Sequence, residues 1–105
     1  TVFDVRFLRN PYYTTEFRAR TGRDPEVGAY IAADPHFAPF MEALRSLTTM
    51  LLEGYGREGR PYLTIAIGCS GGQHRSVFVA EELTRWLQTG GWSASVAHRE
   101  NVAAA

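Results

Sequence analysis

The sequence predicts one α/β domain of three layers, built around a mostly parallel sheet in the order βααβαβ. Three observations carry this prediction. Apolar runs of strand length occupy residues 2–8 and 62–68, helical periodicity fills the segments after each, and a glycine-rich turn joins the second run to a helix. At 105 residues, 45% hydrophobic and 21% charged, the chain has the size and balance of a single globular unit, so residues 1–105 are read as one domain.

The first strand, residues 2–8, alternates Phe3, Val5 and Phe7 with Asp4 and Arg6. Arg9-Asn10-Pro11 ends it. The segment that follows carries Arg18, Arg20 and Arg23 and reads as a basic, mobile loop. Asp24-Pro25 and Asp34-Pro35 each place a capping acceptor before a proline at the first helical position, so a short and a long helix are expected. In the longer one, Phe37, Phe40, Met41, Leu44, Leu47, Leu51 and Leu52 form one apolar stripe, with Gly54 and Gly56 as its end. The nearly continuous apolar run at 62–68 suits a central parallel strand covered on both faces. After the glycine turn, residues 76–88 read as a helix with Val77, Ala80, Leu83 and Leu87 inward, stopped by Gly90-Gly91. Residues 92–97 alternate as a third strand. Right-handed crossovers between the strands complete the expected topology.

Eleven arginines balance eleven acidic residues, so no overall field draws the chain to nucleic acid or to an anionic membrane. That every cation is an arginine suits bidentate recognition of phosphate, although codon bias is the simpler account. The single cysteine, Cys69, has no partner for an internal disulfide, and no apolar run reaches the roughly 18 residues of a membrane span, so a soluble cytoplasmic protein is expected. Position 1 is a threonine within an alternating segment, as expected of a stretch from inside a longer chain.

Ligands of open α/β sheets bind at the carboxyl ends of the strands, where helix N-termini present free amides. The predicted strands end in Arg9-Asn10, in Cys69 to Ser76, and in His98-Arg99, so one shared pocket is expected. Gly68, Gly71 and Gly72 admit an anion close to the backbone, Ser70 and Ser76 offer hydroxyls, Arg75 offers a donor fork, and His74 a further donor. Cys69 and Gln73 lie within the same turn, and Tyr12, beside Asn10, can stack on a sugar ring. The plainer alternative makes the turn a tight strand-to-helix connection with Ser76 as its cap and His74 exposed.

The same residues fit Cys-x-x-Gly-x-x-Arg-Ser, the phosphate loop of cysteine-dependent phosphatases, with Cys69 as nucleophile and Arg75 for transition-state charge. Against it, Gly68 stands where a histidine usually precedes the cysteine, and Asp34, the one Asp-Pro candidate for a general acid at plausible spacing, reads as a helix cap.

The longest match lies elsewhere. Residues 3–11 (FDVRFLRNP), residues 62–77 with the motif Gly68-Cys69-Ser70-Gly71-Gly72-Gln73-His74-Arg75-Ser76-Val77, the Arg-x-x-Thr-Gly segment at residues 18–22, and His98-Arg99 resemble the C-terminal domain of the RapZ family of RNase adapter and nucleotide-binding proteins. The resemblance implies a fold like a sugar-phosphate-binding half of phosphofructokinase and a pocket of Ser70, Gly71, His74 and Arg75. It also implies sensing of amino-sugar metabolites such as glucosamine-6-phosphate, a regulatory role, and in some members binding of a small RNA. An N-terminal P-loop domain belongs to the family, and no Gly-x-x-x-x-Gly-Lys-Ser/Thr occurs here. Tyr12 stands where ligand-binding relatives often carry histidine, which favours a larger ligand such as UDP-N-acetylglucosamine. The end of the chain lacks the basic tail associated with RNA binding, and relatives usually add a strand upstream.

The expectation is therefore a metabolite-binding domain without catalytic activity, metal or cofactor, self-associating as relatives do. Phosphate would lie on the Ser70–Ser76 amides and Arg75, with sugar hydroxyls met by Asn10, His74 and Tyr12, and Arg75→Ala would abolish binding without unfolding. An RNA adapter using Arg18, Arg20, Arg23 and Arg99 is the weaker reading at zero net charge.

Overall fold

The computed structural model describes residues 1–59 and 62–99. Two short parallel strands, β1 (Val2–Asp4) and β2 (Ala66–Gly68), pair with Val2 opposite Ala66 and Asp4 opposite Gly68. Between them run helices α1 (Pro25–Ala32) and α2 (Phe37–Arg57), and α3 (Arg75–Thr89) follows the glycine turn. Asp24 caps α1 as expected, its carboxylate accepting the Glu26 amide at 2.9 Å with Pro25 in the first turn. Val5, Phe17, Ile31, Met41, Leu44, Val79 and Leu83 form the core, drawing on all three helices, and Phe3 and Ile67 of the sheet, with Ile65 just before β2, pack onto it.

The class is α/β, but the described residues form two layers rather than three. The third strand expected at 92–97 is absent among the described residues. Its alternation survives, with Ala94, Val96 and His98 half-buried and their neighbours exposed, yet the segment is bonded to a helix. The Trp92 amide donates to the Leu87 carbonyl, Gln88 Nε2 donates to the Ala94 carbonyl, and His98 meets Glu81. Period-two burial reports which way a chain faces; a strand also needs a ladder partner. The two strands are correspondingly shorter than the apolar runs.

Two further expectations change. Gly54 and Gly56 lie within α2, which runs on to Arg57; the positive φ of 71° that follows the helix falls at Gly59. Asp34 is not the α2 cap. Its carboxylate accepts the amides of His36 and Arg9, both at 2.8 Å, so it ties the end of the first strand region to the α1–α2 turn. His36 amide donation is the main cause that holds the Asp34 carboxyl below its usual range.

Candidate anion-binding site at the glycine turn

The chain leaves β2 at Gly68 and reverses through Gly71 and Gly72, whose φ values of 75° and 64° lie in the region that favours glycine. Ser70 and Gly71 are exposed there. Beside them opens a cleft of about 270 Å³ lined by Val2, Phe3, Asp4, Arg6, Gly68, Cys69 and Ser70. It runs along β1 and reaches the carboxyl ends of both parallel strands, where such sheets hold ligands.

Its wall carries both charges. Arg6 Nε donates to the Asp4 carboxylate oxygens at 2.8 and 3.0 Å, and the Arg6 amide donates to the same group at 2.9 Å. These bonds lower the Asp4 pKa and raise that of Arg6. Both side chains remain solvent-accessible, so a ligand can compete for either. Asp4 and Arg6 were readable in the sequence only as the outward positions of a strand.

The second half of the turn faces the other way. Gln73 Nε2 donates to the carbonyls of Arg18 at 3.0 Å and Arg20 at 2.6 Å, and the Gln73 carbonyl accepts the Gly22 amide. His74, 5% exposed, places Nε2 at 3.1 Å from the Phe17 carbonyl. Arg75, 4% exposed, donates through Nη1 to the carbonyls of Arg6 and Leu8 at 2.6 and 3.2 Å, and its Nε is buried without a partner. The guanidinium expected to grip phosphate thus holds the end of the β1 region. At the start of α3 the Ser76 amide donates to Cys69 Sγ at 3.3 Å, and the sulfur lies 3.2 Å from Ser76 Oγ. His74 and Ser76 are buried, which departs from the plainer reading in which His74 is exposed and Ser76 caps the helix through its hydroxyl.

The other predicted residues lie apart from the cleft lining. Asn10 Oδ1 accepts the Tyr12 amide and caps the short turn Pro11–Tyr13. Tyr12 is half-exposed with the Arg18 guanidinium stacked 4.7 Å from its ring centre. His98 bonds Glu81 on α3 at 2.8 Å, and Arg99 is exposed at the end of the described residues. The predicted single pocket is therefore divided: Cys69 and Ser70 line the cleft, and Gly71 adjoins Ser70. Nor is the arginine segment a free basic loop. Arg20 lies 3.7 Å from Asp24 and 3.4 Å from Glu26, and Arg23 lies 3.2 Å from Glu81.

Against known proteins, residues 1–102 match the RapZ C-terminal domain. The chain belongs to that family. It is 54% identical over 99 residues to nucleotide-binding proteins of Paramagnetospirillum magneticum and Rhodospirillum rubrum, covering 94% of this chain and 32% and 31% of theirs. A nucleotide-binding protein of Solibacter usitatus is 50% identical over 103 residues, 98% of this chain and 32% of that protein. The chain thus spans about a third of the length of the curated relatives it matches. Among the described residues no helix is long and apolar enough to cross a membrane, and no cluster of His, Cys, Asp and Glu fits a metal ion. In this RapZ C-terminal domain the glycine motif has two parts: Cys69 and Ser70 line the cleft, and Gln73 to Ser76 turn into the protein.

Proposed function

We propose that this domain binds a phosphorylated metabolite in the cleft beside Ser70 and Gly71, as a regulatory binding module without catalytic activity. The observation that carries the reading is the coincidence of two features at the same strand ends. Consecutive glycines at positive φ, Gly71 and Gly72, follow Ser70 directly, and the cleft that Ser70 lines also carries a cation and a carboxylate, Arg6 and Asp4. In this reading the Ser70 hydroxyl and the Gly71 and Gly72 backbone hold phosphate, with Arg6 turning from Asp4 to one phosphate edge. Asp4 then faces a hydroxyl or an ammonium group, which suits an amino-sugar phosphate such as glucosamine-6-phosphate. The nucleotide-binding names of the relatives support a nucleotide sugar such as UDP-N-acetylglucosamine as the second candidate.

The phosphatase reading has less support. Cys69 and Ser76 stand in contact as it requires, but the Arg75 guanidinium is spent on the carbonyls of Arg6 and Leu8.

The test is a calorimetric titration with glucosamine-6-phosphate, UDP-N-acetylglucosamine, citrate and inorganic phosphate. Saturable binding of one sugar phosphate, weakened at least tenfold in Arg6→Ala, is the expected result. Equal weak heats for every anion, unchanged in Arg6→Ala, refute it.

A further inference from the structure

A second groove, of about 520 Å³, opens between α1 and α3. It shares no lining residue with the cleft beside Ser70. Its volume falls within the roughly 300–1,000 Å³ usual for small-molecule sites. The two helices close its base where Gly28 meets Phe78: a Cβ added at Gly28 would stand 2.6 Å from the Phe78 ring. Helix spacing then decides what each wall presents. Pro25, Gly28, Ala29 and Ala32 of α1, and Phe78, Glu81, Glu82 and Arg85 of α3, each follow the i, i+3, i+4, i+7 pattern of one helix face.

The walls differ in kind. Along this face α1 presents no polar side chain, although Ala29 and Ala32 are exposed. An exposed helix face ordinarily carries charged or polar residues; this one is shallow and apolar. The α3 wall carries carboxylates and a guanidinium, and Arg23 adds a second guanidinium just before α1. Arg23 Nε lies 3.2 Å from Glu81 Oε1, and the same oxygen lies 2.8 Å from His98 Nε2, so Glu81 is held from two sides. Glu82 pairs with Arg85 alone among the described residues, and side-chain exposures of 66% for Arg85 and 28% for Glu82 leave that pair open to exchange.

The charges of the lining decide the class of ligand. Asp24, Glu81 and Glu82 outnumber Arg23 and Arg85, so a phosphate meets net repulsion. A simple cation on Glu82 would leave Arg85 without its carboxylate. A ligand with one charge of each sign satisfies both: its ammonium replaces Arg85 on Glu82, and its carboxylate takes the freed guanidinium. Glu82 and Arg85 lie three residues apart, about 4.5 Å along the helix axis, so a short zwitterion reaches both. We infer that the α1–α3 groove is a second ligand site for a small zwitterion with an apolar body, a free α-amino acid or a dipeptide. Its ammonium lies on Glu82, its carboxylate on Arg85, and its apolar part on Ala29, Ala32 and Phe78.

Calorimetry of the 105-residue chain with L-leucine and leucyl-alanine, set against N-acetyl-leucine and leucinamide, tests the assignment. Saturable binding of L-leucine or the dipeptide is expected, weakened at least tenfold when either charge of the probe is blocked, and again in Glu82→Gln. The tighter of the two zwitterions tells a free amino acid from a peptide. No saturable heat with either, equal affinity for the blocked probes, or unchanged affinity in Glu82→Gln overturns the inference. Ala29→Phe, at an exposed position, should fill the groove and abolish binding with a Tm within about 3 °C of the parent. Undiminished binding in that folded variant overturns it. NMR locates the ligand: shifts at Ala29, Ala32 and Phe78 support the groove, and shifts confined to residues 70–72 refute it. Light scattering that shows the chain dimeric, and monomeric in Ala29→Phe, also refutes it, since a second copy then fills the groove.

Discussion

The two halves of the glycine turn are adjacent in sequence and have opposite duties. Ser70 and Gly71 are exposed beside a cleft, and nothing lies within 4 Å of a Cβ built on Gly71. Gln73, His74, Arg75 and Ser76 are buried or half-buried, and their side chains bond to the 17–20 segment, to the end of the β1 region and to Cys69. One contiguous motif thus holds a binding edge and a structural weld. The direction of each side chain tells them apart.

Substitutions break or sharpen this contrast. The largest effect is expected at Gly22, where an added Cβ would stand 2.2 Å from the His74 carbonyl oxygen and 2.6 Å from the Phe78 amide. Both neighbours are backbone, so Gly22→Ala should cost about 3 kcal/mol or more in urea unfolding. A near-neutral result would show that the weld yields. Arg75→Ala comes next. It strips one buried and one half-buried carbonyl of a charged donor, and a loss of about 2–4 kcal/mol is expected. This reverses the expectation that the variant stays folded and merely loses ligand; an unchanged Tm with binding abolished would move Arg75 into the open half. Gln73→Ala removes bonds to two carbonyls, and about 1–2 kcal/mol is expected in the same assay.

Asp34 offers an acid-sensitive control outside the turn. Its carboxyl is held below the usual value, so its stabilisation is complete above that value near 3.8 and fades as pH falls through the folded-state pKa. Unfolding curves of Asp34→Asn should therefore lie below those of the parent at pH 7 and converge with them in strong acid. Parallel curves at both pH values would reject that coupling. The smallest effect on folding belongs to the open half: Ser70→Ala should change stability by less than about 0.5 kcal/mol while weakening the phosphate ligand in calorimetry.

Much of this was legible in the sequence, for reasons that can be named. Asp24-Pro25 fixed the start of α1, and Gly90-Gly91 fixed the end of α3, because capping chemistry is local. The glycine turn was placed between a strand and a helix because only glycine adopts positive φ without strain. What escaped was the direction of long polar side chains. Arg75 and Gln73 find their partners 53 to 69 residues away in sequence, and no local pattern encodes such pairings. Residues 92–97 misled for a related reason, since alternation records burial and is silent on the hydrogen-bond partner. Asp4 and Arg6 passed as solvent-facing strand positions because the cleft beside them exists only once β1 and β2 are paired.

Cys69 gives the site a built-in point of attachment. It is the single thiol of the chain, and it lines the cleft at the exit of β2. A fluorophore coupled through that sulfur would sit at one known place, between the cleft and Ser76 at the start of α3. With no lysine in the sequence, amine chemistry has only the chain terminus to attack, so thiol labelling and terminal immobilisation are orthogonal. The domain is in that sense already laid out as an optical reporter, in which occupancy of the cleft is read as a change in the emission of a dye at a single sulfur.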